Sequence, residues 1–302
     1  MPGQSKLLLP IIILSQFAGT SLWFAGNAII DAIQKDVGSH ANITSVVQFG
    51  FIAGTLVFSL FTIADRFRPN KVFFFSALIA AVANLLIIPF AYDHFLLLLL
   101  RFITGFFLAG IYPVGMKIAA DLFPEKLGKA LGYLVGALVL GTSFPHFVRS
   151  QLHAIDWEAV IVFTSVLALI GGLLILWFIP TKPKSTVAQK PDLLAAVKVF
   201  RSKPFRSAAF GYFGHMWELY AFWAILPVVF TFYNKQSNTE LNVYFWSFII
   251  IAVGGLGCAL GGLISQKTGS KKVAFYSLAI SGLCCVFSFS SSIRLLFCSC
   301  FL

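Results

Sequence analysis

The sequence predicts an all-α integral membrane protein: six apolar spans, a polar link, then three more spans. Three observations carry this. Of 302 residues, 59% are hydrophobic and 11% charged, whereas a soluble domain carries about 25% charged residues. Apolar runs near the length needed to cross a bilayer, about 20 residues, recur nine times. The ten-residue alternation of an outer-membrane barrel is absent from the sequence. The formal charge of +11 would suggest nucleic acid in a soluble chain. Here the basic residues sit between apolar runs, where topology explains them, so no nucleic-acid partner is expected.

In order, the runs are residues 7–30, 46–64, 72–91, 95–120, 130–148, 160–179, 207–233, 243–265 and 273–289. The first is too long for a cleavable signal core and lacks a small-residue cleavage site, so it is read as the first span. Lys6 precedes it. Arg66, Arg68 and Lys71 follow the second run, Lys117, Lys126 and Lys129 flank the end of the fourth, and Lys267, Lys271 and Lys272 follow the eighth. With nine spans, all of these fall on one side together with the lysine-rich link 181–206. The opposite side holds Asp31, Asp36, Asp93, Asp156, Glu158 and Glu240. The positive-inside rule places the N-terminus and the link in the cytoplasm. The five cysteines lie late, inside apolar runs, at spacings that match no zinc pattern.

The end of the chain repeats its beginning. Gly54 and Lys71-Val72 superpose on Gly255 and Lys272-Val273 at a shift of 201, and Trp23-Phe24-Ala25 has an echo in Phe222-Trp223-Ala224. Repeated halves joined by a cytoplasmic link are a sign of secondary transporters.

On these residues the chain resembles the major facilitator superfamily. Asp65-Arg66-x-Arg68-x-x-Lys71 is similar to that family's signature between helices two and three, with Phe61 and Arg68 where glycines are usual. Arg101-x-x-x-Gly105 is similar to its fourth-helix signature, and residues 121–132 to the loop that follows. The fifth run has Gly132, Gly136, Gly141 and Pro145 but lacks the ending of the antiporter signature. Residues 21–29 and 214–224 look like a bacterial branch described as nitrate/nitrite- or sugar-type permeases. The resemblance implies twelve helices in two bundles of six: a six-helix bundle over 1–180, a cytoplasmic linker over 181–206, and over 207–302 an incomplete second bundle holding helices seven to nine. Shifting Arg101 by 201 reaches Leu302, so a C-terminal truncation of roughly three helices is expected.

The candidate site residues follow from charge inside apolar runs. Only Arg101 and Glu218 are charges well inside spans, and intramembrane charges mark pathways or buried pairs. At about 1.5 Å per residue Glu218 falls near mid-membrane and Arg101 roughly 10 Å below the outer face. The resemblance places helices one, four and seven around the cavity. There Arg101 would hold an anionic group, and Glu218 would carry a coupling proton; a structural ion pair is the plain alternative for both. His215 lies one turn before Glu218. Trp217, Tyr220 and Trp223 are expected to crowd this pair and line the cavity, or else to pack the bundle. Gln16, Thr20 and Asn27 either orient a substrate or bond across helices. The glycine pairs Gly50/Gly54 and Gly257/Gly261 are expected to be close-packing surfaces. Asp65, Arg66 and Arg68 form either a conformational latch or a basic cluster that enforces topology.

No enzymatic motif is present: HExxH, GxSxG and a phosphate-binding loop are all missing from the sequence. No metal or cofactor is expected. The expected partners are a small polar solute, anionic in the sharper reading, a coupling proton and the lipid of the cytoplasmic membrane. A non-transporting fragment of such a carrier is the alternative.

Overall fold

The computed structural model describes residues 4–27, 40–151, 157–180 and 198–290, and these contain helices and no strand. The helices are α1 (Gln4–Thr20), α2 (His40–Leu60), α3 (Pro69–Leu85), α4 (His94–Leu108), α5 (Tyr112–Leu122), α6 (Leu127–Gln151), α7 (Trp157–Phe178), α8 (Lys203–Ser237), α9 (Val243–Thr268) and α10 (Ser270–Ser290). One-turn helices at Ile63–Arg66 and Ile87–Phe90 and a 3-10 turn at Pro124–Lys126 join some of them.

Each predicted run coincides with a helix. Among the described residues, seven helical segments are long and apolar enough to cross a membrane, and these are the second to eighth runs. The apolar part of α1, Leu7–Thr20, is shorter, and α10 is not among the seven. Residues 181–197 of the link lie outside the described residues. So do Asp31, Lys35, Asp36, Asp156 and the tail beyond residue 290.

Four predicted spans are interrupted, the second at Phe61–Thr62 and the third at Leu86 near their ends, the first and fourth deeper within. The first leaves the α-helix after Thr20: Trp23 N–H donates to Thr20 O and Asn27 N–H to Phe24 O, both at 3.0 Å and three residues apart. The fourth breaks at Ala109–Ile111, with Gly110 and Ile111 donating to Phe107 and Leu108. Pro113 follows in the first turn of α5, where a missing N–H costs nothing.

Glycines set how closely the helices approach. α2 lies on α4 with Gly50 against the Phe102 carbonyl, Gly54 against the Phe106 carbonyl and Gly105 against the Val47 carbonyl. α3 packs on α7, and α1 lies between α6 and α7. α9 joins the later helices to this group by running along α6. A Cβ on Gly132 would come 2.8 Å from Gly262 Cα, and one on Gly136 would come 2.8 Å from the Gly255 carbonyl. At the other end Phe147 and Phe248 meet at 5.0 Å between centroids, and Asn242 Nδ2 donates to Ser150 O at 3.4 Å.

The expected role of Gly50 and Gly54 is thus met, but that of Gly257 and Gly261 is corrected. Nothing lies within 4 Å of a Cβ on Gly257, and one on Gly261 meets only the Val273 side chain at 3.7 Å. Helical phase explains the shift. Gly255, Ala259 and Gly262 share the face turned to α6, at spacings of four and three.

Candidate functional site

The site grows out of the break in the first span. An α-helix that ends inside a bundle leaves carbonyls without donors, and hydrocarbon offers none. Here the donor is Arg101 of α4. Its Nη2 donates to Trp23 O at 2.6 Å and its Nη1 to Leu22 O at 3.2 Å. The guanidinium also complements the negative end of the α1 dipole. Arg101 is fully buried, and a Cβ on Gly26 would stand 2.8 Å from its Nε.

Behind Arg101 stands Asn84 of α3, also fully buried. Its Oδ1 accepts from Arg101 Nη1 at 3.4 Å. Its Nδ2 faces three acceptors on α7: Ser165 Oγ at 3.0 Å, Thr164 Oγ1 at 3.2 Å and Ile161 O at 3.3 Å. Ser21, at the break, donates to Ala18 O at 2.7 Å and reaches Thr164 O at 3.4 Å. Four spans therefore share one buried polar network.

In front of the break stand aromatic rings. Trp23 stacks on Tyr220 of α8 with centroids 5.6 Å apart, and lies 4.6 Å from Phe51 of α2. Phe24 meets Trp223 edge-on at 5.9 Å, and Tyr220 meets Trp223 at 5.5 Å. The two echoed stretches of the sequence thus touch each other.

The other expected members of this site divide among three directions. Tyr220 and Trp223 turn to the first span. Glu218 is half-buried and turns to α10, where Ser281 Oγ donates to its Oε1 at 2.6 Å. His215 and Trp217 are exposed, Trp217 at 80%. The expected crowding of Trp217 around Glu218 and His215 is corrected accordingly. The residues of α8 that pack into the core of the earlier helices begin at Leu219, and most of its first half is exposed. Arg101 thus turns to the first span and Glu218 to α10.

Gln16 is fully buried against Gly115, with neither side-chain polar atom hydrogen-bonded. Thr20 donates to Gln16 O at 2.8 Å. Asn27 Nδ2 donates to Thr44 Oγ1 of α2 at 2.6 Å, a cross-helix bond. In the loop signature, Asp65 accepts from Lys117 Nζ of α5 at 2.6 Å, a pair that is 64% exposed on the aspartate side. Arg66 Nε is buried without a hydrogen bond, while Arg68 is exposed and precedes Pro69 as the N-cap of α3.

Three features had escaped the sequence reading. Asn84 is a lone amide in an apolar run, the same signal that singled out Gln16 and Asn27. Trp23 and Phe24 were noticed only as a repeat. His146 of α6 is fully buried with both ring nitrogens unbonded, and lies against Tyr244 at 6.2 Å. Among the described residues no three His, Cys, Asp or Glu side chains converge on a metal position.

Comparison with known proteins gives a consistent family result. The model of the Major Facilitator Superfamily matches residues 10–302. An uncharacterized transporter, YgaY, of Escherichia coli O157:H7 is 26% identical over 245 residues, covering 75% of this chain and 61% of that protein. The YgaY protein of Escherichia coli K12 matches to the same extent. The hexuronate transporter of Bacillus subtilis is 22% identical over 303 aligned positions, covering 94% of this chain and 71% of that protein. The chain thus spans about 61% of the length of its YgaY relatives.

Proposed function

The chain belongs to the major facilitator superfamily, and on that premise we propose that it is the main part of a secondary transporter, not an enzyme. It moves a small polar solute across the cytoplasmic membrane by alternating access, with its N-terminus in the cytoplasm. Residues 1–180 form the first bundle, 181–206 the cytoplasmic linker, and 207–302 the first three helices of the second bundle, nine spans of twelve.

The observation that carries the reading is the contact of Trp23 and Phe24 with Tyr220 and Trp223. It joins an interrupted helix of one half to the charged helix of the other, and interrupted spans mark binding sites in carriers. In this reading the stacked rings close one side of the pathway. Glu218 carries the coupling proton and passes it where Ser281 now donates. His215 and Trp217 line the part of the pathway completed by further helices. Asn27 and Gln16 orient the solute when the halves part. Arg101 faces it only then, because its Nη donors are occupied by the broken helix. Asp65, Arg66 and Arg68 latch the cytoplasmic side, with Lys117 as the partner of Asp65 in this state. An anionic solute is favoured because one relative is a hexuronate transporter, and a hexuronate is a sugar acid.

A second reading has its own support. The exposed first half of α8 and the exposed Trp217 suit a fragment of such a carrier that does not transport by itself. The test is to reconstitute residues 1–302 in liposomes under an imposed proton gradient and to measure uptake of D-glucuronate and D-galacturonate. The Bacillus subtilis relative serves as the positive control. Saturable, gradient-driven accumulation supports the carrier and removes the fragment reading; a folded chain with no uptake supports the fragment.

A further inference from the structure

A guanidinium that replaces the missing donors of a broken helix works only if it is held at the right height and angle. Arg101 sits on α4 with a long, flexible side chain, and such a side chain has about 2 kcal/mol of rotamer entropy to lose. Among the described residues its anchor is the one side-chain acceptor that it meets, Asn84 Oδ1. The amide of Asn84 is in turn fixed, because its nitrogen is directed at Ser165, Thr164 and Ile161 on α7. The chain of contacts is continuous, buried as far as Trp23 and half-buried at Tyr220: α7, Asn84, Arg101, the Leu22 and Trp23 carbonyls, the Trp23 ring, the Tyr220 ring.

We propose that Asn84 is a positioning residue that acts through Arg101: it sets the break of the first span and thereby the contact of Trp23 with Tyr220 on the other half. The proposal rests on reading that contact as a closure of the pathway only for its functional meaning; the coupling itself is testable without any solute. Two roles of Asn84 must be told apart. Its oxygen holds Arg101, whereas its nitrogen ties α3 to α7. An aspartate at this position keeps an acceptor for the guanidinium and removes both N–H donors. A leucine removes both functions.

The experiment is amide hydrogen exchange on the full chain in lipid nanodiscs, followed over residues 18–27 and over residues 157–168. Loss of a charge-assisted hydrogen bond frees the break by about tenfold in exchange rate. Asn84→Leu is expected to raise exchange over both stretches. Asn84→Asp is expected to return residues 18–27 to the wild-type rate while 157–168 stays raised. Arg101→Lys, a point donor that cannot serve two carbonyls in one plane, is expected to raise 18–27 alone. Wild-type exchange over 18–27 in Asn84→Leu overturns the proposal, as does failure of Asn84→Asp to restore it. If Asn84→Leu does not fold, Arg101→Lys decides: unchanged exchange over 18–27 shows that the guanidinium does not hold the break.

Discussion

The helices before the link and those after it handle polarity in opposite ways. In the first group Arg101, Asn84, Thr164, Ser165 and Ser21 are buried and bonded to one another or to the backbone. These five side chains bond within the group, whereas Gln16 and His146 of the same group are buried with their side-chain polar atoms unbonded. In α8 and α10 the polar pair Glu218–Ser281 is half-buried, and His215, Trp217 and most of α10 are exposed. Yet α9 between them is packed to backbone distance on α6.

Five substitutions test this contrast, beginning with the largest expected effect. Arg101→Met strands two buried carbonyls and is expected to cost about 3 kcal/mol of stability, measured as the loss in thermal unfolding of the detergent-solubilised chain. A cost under about 1 kcal/mol would show that the first group does not depend on its network. Gly132→Leu forces a side chain between α6 and α9 and is expected to cost about 1–3 kcal/mol. Gly257→Leu on the open face of α9 stays within about 0.5 kcal/mol. Equal effects of the two leucines would deny that the seam is the special surface.

Glu218→Gln keeps the shape of a half-buried acceptor, so its stability effect is expected to stay below about 1 kcal/mol. Its effect on function is expected to be large: in a full-length relative carrying the equivalent glutamate, proton-driven accumulation is lost while solute exchange survives. Uptake that still follows the proton gradient would remove Glu218 from the coupling role. Asp65→Asn breaks an exposed pair worth about 0–1 kcal/mol, and its unfolding temperature is expected to match that of the parent in high salt.

Much of the fold was legible because the bilayer restricts the choices. Runs of about 20 apolar residues can only be helices, and the glycines of α2 announced a close-packing face, though not that its partner is α4. The phase of the glycines in α9 was not legible, because a stretch with Gly254, Gly255, Gly257, Gly261 and Gly262 offers several small faces and only the partner selects one. The interruption of the first span was hidden for a related reason. Nothing in residues 20–25 is a helix breaker; the break is stabilised from outside, by Arg101. Arg101 and Glu218 stand out in the sequence as charges within apolar runs, but charge alone does not reveal that Arg101 faces backbone or that Glu218 faces α10.

That outside support also bears on the order in which the protein is made. The carbonyls at Leu22 and Trp23 find their donor 79 and 78 residues later in the chain. At about 5–20 residues per second, the first span leaves the ribosome several seconds before Arg101 exists. During that interval those carbonyls have only the following amides of their own segment to satisfy them. A first span inserted before Arg101 is made is expected to enter the bilayer as a longer helix, since Leu7–Thr20 alone reaches about 21 Å against roughly 30 Å of hydrocarbon. The break is then expected to form only when the fourth span supplies its arginine, a residue a third of the way along the sequence.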